Sequence, residues 1–412
     1  MVAIRPFRAL RYAPQHIADL SQVIAPPYDV IDADEQERLY RASPYNLVRL
    51  TLGKQSPEDT PEENRYTRAQ QDFDAWLEQG ILSQDAAPSL SLIEHRFRDE
   101  GAAVRSRLGF LALLELGDAV HQTAYCHEAT FAAPKEDRTK LLNAIPANLE
   151  PIFCVYPDEE GAVQATLRAL TQRAEPSARA AINGEEVRVW PITDDAAIRD
   201  VARRLSASAV LIADGHHRFE VAYANRSRYA AVMTYFVSMA DPSLIVRPIH
   251  RVTLRGASVD PRALEELCLI EEANELASLT QWLKEARGEG HFGYYDGRTL
   301  YRLRLKPEHL AHWLMAPTVP LPLATLDVSL LHGLVLPRVG VNGTGLHYTA
   351  EAASALHSVQ DGQGTSAWLL RGIPLRQIYA LAAAGLILPP KSTYFYPKVP
   401  SGLAINPHTS PT

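Results

Sequence analysis

Ala209-Val210-Leu211-Ile212-Ala213-Asp214-Gly215-His216-His217-Arg218 is the stretch on which the reading of this chain turns. The apolar run at 209–212 is too short for a helix and has the composition of a buried strand; Gly215 then punctuates it, and 218–225 reads as a helix. A second apolar run at 230–238 follows, so the centre of the chain reads as strand, loop, helix, strand. A glycine turn between strand and helix leaves backbone N–H groups pointing outward, and the helix dipole adds partial positive charge there. His216, His217 and Arg218 add donors for phosphate oxygens, while Asp214 is placed to hold a metal or to take a hydroxyl proton. The bland alternative, surface histidines with Arg218 paired to Glu220 or a nearby carboxylate, leaves three potential cations in one strand-to-helix turn that packing alone hardly justifies.

Outward from this unit the pattern alternates. Pro26-Pro27 forces an extended approach to Tyr28-Asp29-Val30, and a polar helix begins near Asp34. A helix is expected over 61–79, with Thr60 as N-cap, Pro61 in the first turn, Glu63 closing a capping box and Gly80 as the stop. Strands at 89–98 and 103–116 joined through Asp99-Glu100-Gly101 predict a hairpin, and so antiparallel pairing. A helix at 161–173, a strand at 186–191 after Asn183-Gly184, and a helix capped by Asp194 and ending near Ser206 complete the first half. Past Thr253 the pattern is a helix after Asp260-Pro261, a hairpin around Asp296-Gly297, and helical stretches near Val328, Ala350 and Leu375. The expected domains are 1–255, 256–385 and a tail, 386–412, that packs back on the core.

At 412 residues the chain exceeds one ordinary core, and 46% hydrophobic with 22% charged residues excludes disorder. A net charge of −7 with scattered Lys and Arg offers no basic stripe for a nucleic-acid backbone. The longest apolar stretch, at 229–240, is too short to span a bilayer, and the N-terminus lacks a signal core. Cys126, Cys154 and Cys268 form no C-x-x-C pair, which together with those absences predicts a cytoplasmic protein. No H-E-x-x-H, G-x-G-x-x-G or G-x-x-x-x-G-K-S/T occurs, so neither a protein-only zinc site nor a standard nucleotide loop is expected.

Three further clusters can carry chemistry. Cys126-His127-Glu128-Ala129-Thr130 runs on to Pro134-Lys135-Glu136-Asp137-Arg138, with a solvated helix start as the competing reading of Lys135 to Arg138. Cys126 and His127 are adjacent and point apart on a strand, so the thiol reads as structural. His250-Arg251 ends the strand-rich half. In the tail, Lys391, Ser392, Thr393 and Tyr394 offer ligand contacts, or Tyr394, Phe395 and Tyr396 clamp the core.

Ala213-Asp214-Gly215-His216-His217-Arg218 resembles the phosphate-binding motif of the ParB and sulfiredoxin superfamily, which includes free-serine kinases. With Ala25-Pro26-Pro27-Tyr28-Asp29-Val30-Ile31, His127-Glu128 through Arg138, residues 247–251, Leu326-Asp327-Val328-Ser329 and 389–398, nearly the whole chain resembles the branch called domain of unknown function 1015. That resemblance implies an α/β (α+β) fold: a mixed-sheet ParB/sulfiredoxin-like catalytic core with additional N-terminal elements and a smaller C-terminal α/β domain. It also implies phosphoryl transfer from pyrophosphate, or from a nucleotide, to the hydroxyl of free L-serine or a similar small hydroxy amino acid. In such a reading Gly215, His216, His217 and Arg218 cradle the donor, and Lys135, Arg138, His250, Arg251 and Lys391 neutralise its charge. Asp214, Glu128 and Asp29 are the base candidates in that order, and His217 also serves catalysis. Tyr28, His127, Thr393 and Tyr394 are substrate contacts, Mg2+ bridges phosphate oxygens, and the protein ligands of that metal are unassigned. Ala129 departs from the basic residue that relatives commonly carry between the Glu and Thr of the second motif. The competing functions are a ParB-like nucleotide switch and a phosphatase using the same anion site. The expected partners are a small-molecule substrate and a phosphate donor, with no nucleic acid and no membrane; a homo-oligomer stays open. On these assignments His217→Ala and Arg218→Ala should lose phosphate binding without unfolding.

Overall fold

A computed structural model describes residues 1–99, 103–341 and 343–408. The chain divides into two compact units: Met1–Cys126, Thr130–Ile245 and Pro397–Thr412 form the first, and His127–Ala129 with Val246–Tyr396 the second. The main boundary falls at 245/246, ten residues before the composition change that suggested one near 256, and the expected tail is shared, dividing at 396/397.

The first unit is built on a nine-stranded sheet. Its path runs Ala124–Tyr125, Val210–Asp214, Ile152–Tyr156, Ala231–Ser238, Val104–Glu115, Leu90–Arg98, Glu185–Ile192, Ala178–Ile182, with Ile4–Arg5 added against Val104–Glu115. Val210–Asp214 pairs parallel to Ala124–Tyr125, and Ala231–Ser238 parallel to Ile152–Tyr156; the other described pairs in this sheet are antiparallel. A mixed α/β fold results. Every residue of Ala231–Ser238 is buried, as its uninterrupted apolar run requires of a central strand. The expected hairpin forms with Arg98 opposite Val104; Glu100 and Gly101 of its turn lie outside the described residues. Helices at Ala162–Thr171 and Asp195–Ser206 cover the sheet, the latter capped by Asp194. Leu92, Phe110, Ile152, Leu167, Ile212, Phe219 and Phe236 are fully buried in one core, and each contributes about 1.5–3 kcal/mol of burial.

One helix starts later than its sequence suggests. Arg65–Glu78 is capped by Asn64, whose side chain accepts from the Tyr66 and Thr67 amides while Thr67 returns a bond to the Asn64 amide. Thr60 instead closes a separate turn, accepting from the Glu63 amide at 3.0 Å. The asparagine cap wins because it satisfies two helical donors and is itself satisfied in return. The C-terminal segment joins the first unit through Leu10 and Ile405, which exchange both backbone hydrogen bonds.

The second unit holds a six-stranded antiparallel sheet in the order Cys268–Ala273, Leu300–Leu305, His291–Tyr295, Gly364–Leu369, His250–Leu254, Leu346–Thr349. Asp260 caps Pro261–Leu267, and the hairpin at Asp296-Gly297 is closed by the Asp296 carboxylate accepting the Arg298 and Thr299 amides. Among the described residues no helix is long and apolar enough to cross a membrane.

Candidate active site

The turn after Val210–Asp214 is set by Gly215, whose φ of 86° and ψ of 29° place it in the left-handed region. Gly215 is the N-cap of the helix His216–Ala224, with no side-chain cap hydrogen bond. A Cβ there would stand 3.0 Å from Arg218 Nη2 and 3.1 Å from Ile152 Cγ2. Gly215→Ala is therefore expected to cost about 1–3 kcal/mol of stability. The urea midpoint measures it, and an unchanged midpoint would contradict the turn geometry.

Arg218 folds back under this turn. Its Nη1 donates to the Pro151 carbonyl at 2.8 Å and its Nη2 to Asp214 Oδ2 at 2.8 Å, while Nε is a buried donor with no partner among the described residues. The other Asp214 oxygen accepts from Lys398 Nζ at 2.7 Å, and the same ammonium donates to Asp29 Oδ2 at 2.5 Å. Two carboxylates from distant parts of the sequence thus share one lysine. Burial alone would lower the Lys398 pKa, yet Asp214 and Asp29 outweigh it and hold it well above the ordinary lysine range. Arg218 is likewise held charged: burial opposes it, and Glu150, Asp214 and Asp29 prevail. Asp29 sits on the short turn Tyr28–Val30 that the Pro26-Pro27 pair introduces. Its side chain is 39% exposed, and its second oxygen has no partner among the described residues.

Two helix N-termini meet beside this cluster. The helix Ala132–Ala144 packs on His216–Ala224, and the amide of Phe131, its N-cap residue, donates to His217 Nε2 at 2.9 Å. His217 therefore presents an unprotonated Nε2, and its ring stacks on Phe131 at 6.1 Å. Lys135, in the first turn of its helix, makes no ion pair among the described residues, whereas His216 is buried. Arg138 is committed to the fold: it donates to the Thr51 carbonyl and Asp137, lies 3.7 Å from Glu150, and stacks 3.9 Å over the Tyr28 ring. Tyr28 in turn donates its amide to Glu150 at 2.9 Å.

The remaining candidates belong to the second unit. His127 Nε2 lies 2.9 Å from Thr393 Oγ1, which donates to Glu128 Oε1 at 3.4 Å, so these three form one hydrogen-bonded group. Tyr394 stacks on Tyr396 at 6.4 Å. Arg251 is fully buried and donates to His332 Nε2 at 2.9 Å, to the Lys391 carbonyl at 2.9 Å and to the Ile249 carbonyl. The Lys391 side chain itself is exposed. His250 accepts the Leu370 amide at 3.2 Å, and burial with the neighbouring Arg251 pushes its pKa down to about 3. A neutral ring in that place supplies no positive charge to a phosphate. His332 is pushed down to about 4 by the same causes. Folded pKa values below the unfolded one mean that the unfolded state takes up protons first, so stability falls as pH drops from 6.5 toward 3. Each histidine is expected to steepen the acid slope by up to about 1.4 kcal/mol per pH unit. Acid titration of unfolding should show a shallower slope in His250→Asn, and parallel slopes would refute the buried neutral ring.

Sequence reasoning missed Lys398 and Glu150. Lys398 ends the aromatic and cationic tail, the one signal that pointed near it; no spacing rule pairs residue 398 with residues 29 and 214.

The family model described as protein of unknown function (DUF1015) matches residues 4–329. A conserved hypothetical protein from Pyrococcus furiosus is similar at 12% identity, covering 72% of this chain and 95% of its own, with a TM-score of 0.36. A free serine kinase in complex with AMP shares 14% identity over 69% of this chain and 86% of its own, TM-score 0.34. SbnI with C-terminal truncation from Staphylococcus aureus shares 13% over 72% and 87%, TM-score 0.36. No curated protein matches the sequence.

Proposed function

The chain belongs to the DUF1015 family of unknown function, and from that premise we propose that it is a small-molecule kinase. It transfers a phosphoryl group from pyrophosphate, or from a nucleotide, to the hydroxyl of free L-serine or a similar small hydroxy amino acid. The observation that carries the proposal is the meeting of two helix N-termini at the Phe131 amide and His217, beside a pair of carboxylates held by one lysine. The amides of the Gly215 turn and the Lys135 ammonium receive donor phosphates, because dipole and fixed charge there favour anions. Asp29 is the favoured base on geometry: both Asp214 oxygens accept from cations, while Asp29 keeps one uncommitted oxygen. That oxygen is kept for the proton, so no described residue is assigned to Mg2+, which would supply charge neutralisation at the phosphates. The acceptor class rests on the resemblance of the motifs.

Incubation of the full chain with L-serine, Mg2+ and pyrophosphate, ADP or ATP tests the proposal, with phosphoserine detected by mass spectrometry. No phosphoserine with any donor ends the kinase reading, and free phosphate without phosphoserine moves the chain to the hydrolase class. Lys135→Ala is expected to weaken pyrophosphate binding by about 10-fold or more at an unchanged melting temperature, as calorimetric titration would show. Equal affinity would remove Lys135 from the site.

A further inference from the structure

Apart from the Asp214 turn, three side chains of different ligand chemistry converge within the first unit. His121 lies in the short turn Val120–Gln122, Cys126 follows the strand Ala124–Tyr125, and Glu220 is on the helix His216–Ala224. One ligand atom from each, an imidazole nitrogen, Sγ and a carboxylate oxygen, lies within 4.8 Å of the others. We propose that His121, Cys126 and Glu220 bind one divalent transition-metal ion of the zinc class.

The donor set selects the ion. Mg2+ and Ca2+ take oxygen ligands, whereas a thiolate with an imidazole and one carboxylate suits Zn2+ or Co2+. Bond lengths of about 2.0–2.3 Å put tetrahedral ligand atoms about 3.3–3.8 Å apart, so the three atoms need to draw in by only about an ångström. Each side chain is available for it. The His121 ring is held edge-on against Phe219 at 5.2 Å and Tyr223 at 4.3 Å. Cys126 is a free, half-buried thiol. The Glu220 carboxylate accepts no hydrogen bond and forms no ion pair among the described residues, although it faces that thiol. Three protein ligands leave a fourth position for water, the pattern of an open site. Binding replaces the thiol S–H bond by a metal–sulfur bond and releases that proton to solvent, so affinity rises with pH. The ligands come from three elements, which is why neither C-x-x-C nor H-E-x-x-H spacing reveals them. A bound ion ties the 120–126 segment to the helix that carries His216, His217 and Arg218.

The test does not depend on any catalytic activity. Chelator-stripped full-length protein is titrated with Co2+ and followed by absorption. The expected result is one Co2+ per chain, a sulfur-to-cobalt charge-transfer band with tetrahedral ligand-field bands, and displacement of both by Zn2+. Cys126→Ser abolishes the charge-transfer band although Cys154 and Cys268 remain, and His121→Ala and Glu220→Gln each weaken Co2+ binding by at least roughly 10-fold. Glu220→Gln replaces a partly exposed side chain on an intact helix, so it keeps the test valid if the cysteine variant does not fold. Cobalt uptake without the sulfur band, a band that survives Cys126→Ser, or unchanged affinity in Glu220→Gln overturns the proposal.

Discussion

Arg218→Ala is expected to lower the unfolding free energy by about 3–5 kcal/mol, because removing one partner of a buried ion pair leaves the other charge uncompensated. The side chain is 11% exposed, and its guanidinium holds the Pro151 carbonyl and Asp214. Truncation strands that carbonyl, a further cost of about 1–3 kcal/mol if water does not reach it, and takes the guanidinium away from Asp214 Oδ2. The sequence by itself predicts lost phosphate binding in a folded protein; the geometry commits the side chain to the Pro151 carbonyl and Asp214. Arg218→Lys, which keeps the charge without the planar fork, should fall between the two. Denaturant unfolding decides the matter: a wild-type midpoint in Arg218→Ala, with anion affinity gone, would return the guanidinium to the ligand.

Lys398→Met should produce the largest loss of turnover, about 100-fold or more, together with about 2–4 kcal/mol of stability. The ammonium is 10% exposed and stands between Asp29 and Asp214. Without it two carboxylates confront each other, and the proposed base loses its position. The stability figure is set below that of a fully buried pair because Asp29 is 39% exposed and screened by water. The folded pKa of Lys398 is raised, so its contribution is complete below the ordinary lysine pKa and declines only as pH rises beyond it. The gap between wild type and Lys398→Met should therefore stay flat from about pH 6 to 9 and narrow only in stronger alkali. A gap that closes near neutrality would mean that the lysine does not bridge the two acids. Lys398→Arg should recover part of the stability and little of the turnover.

The elements that chain-local chemistry decides were legible. The strand Val210–Asp214 and the helix after Gly215 follow from an apolar run, a glycine and a polar-to-helical switch within fifteen residues. Asp194 and Asp260 cap the helices their positions announce. The start of Arg65–Glu78 was misread because Thr60 and Asn64 both offer capping oxygens, and only the reciprocal bond from Thr67 selects between them. In the candidate site, the strand-to-helix glycine turn was legible, but the commitment of Arg138 was not: the Thr51 carbonyl that it holds is far away in sequence.

By itself the sequence determined which segments are strands and helices, and that a glycine turn ahead of a helix carries histidines and an arginine, since backbone sterics, caps and apolar periodicity act within a few residues. The tertiary structure alone decided that Lys398 joins Asp29 to Asp214, that Arg218 serves the fold, and that His121, Cys126 and Glu220 meet. Strand order in the mixed sheet sets those encounters, and it arises from burying many apolar faces at once, a global compromise that no local spacing encodes.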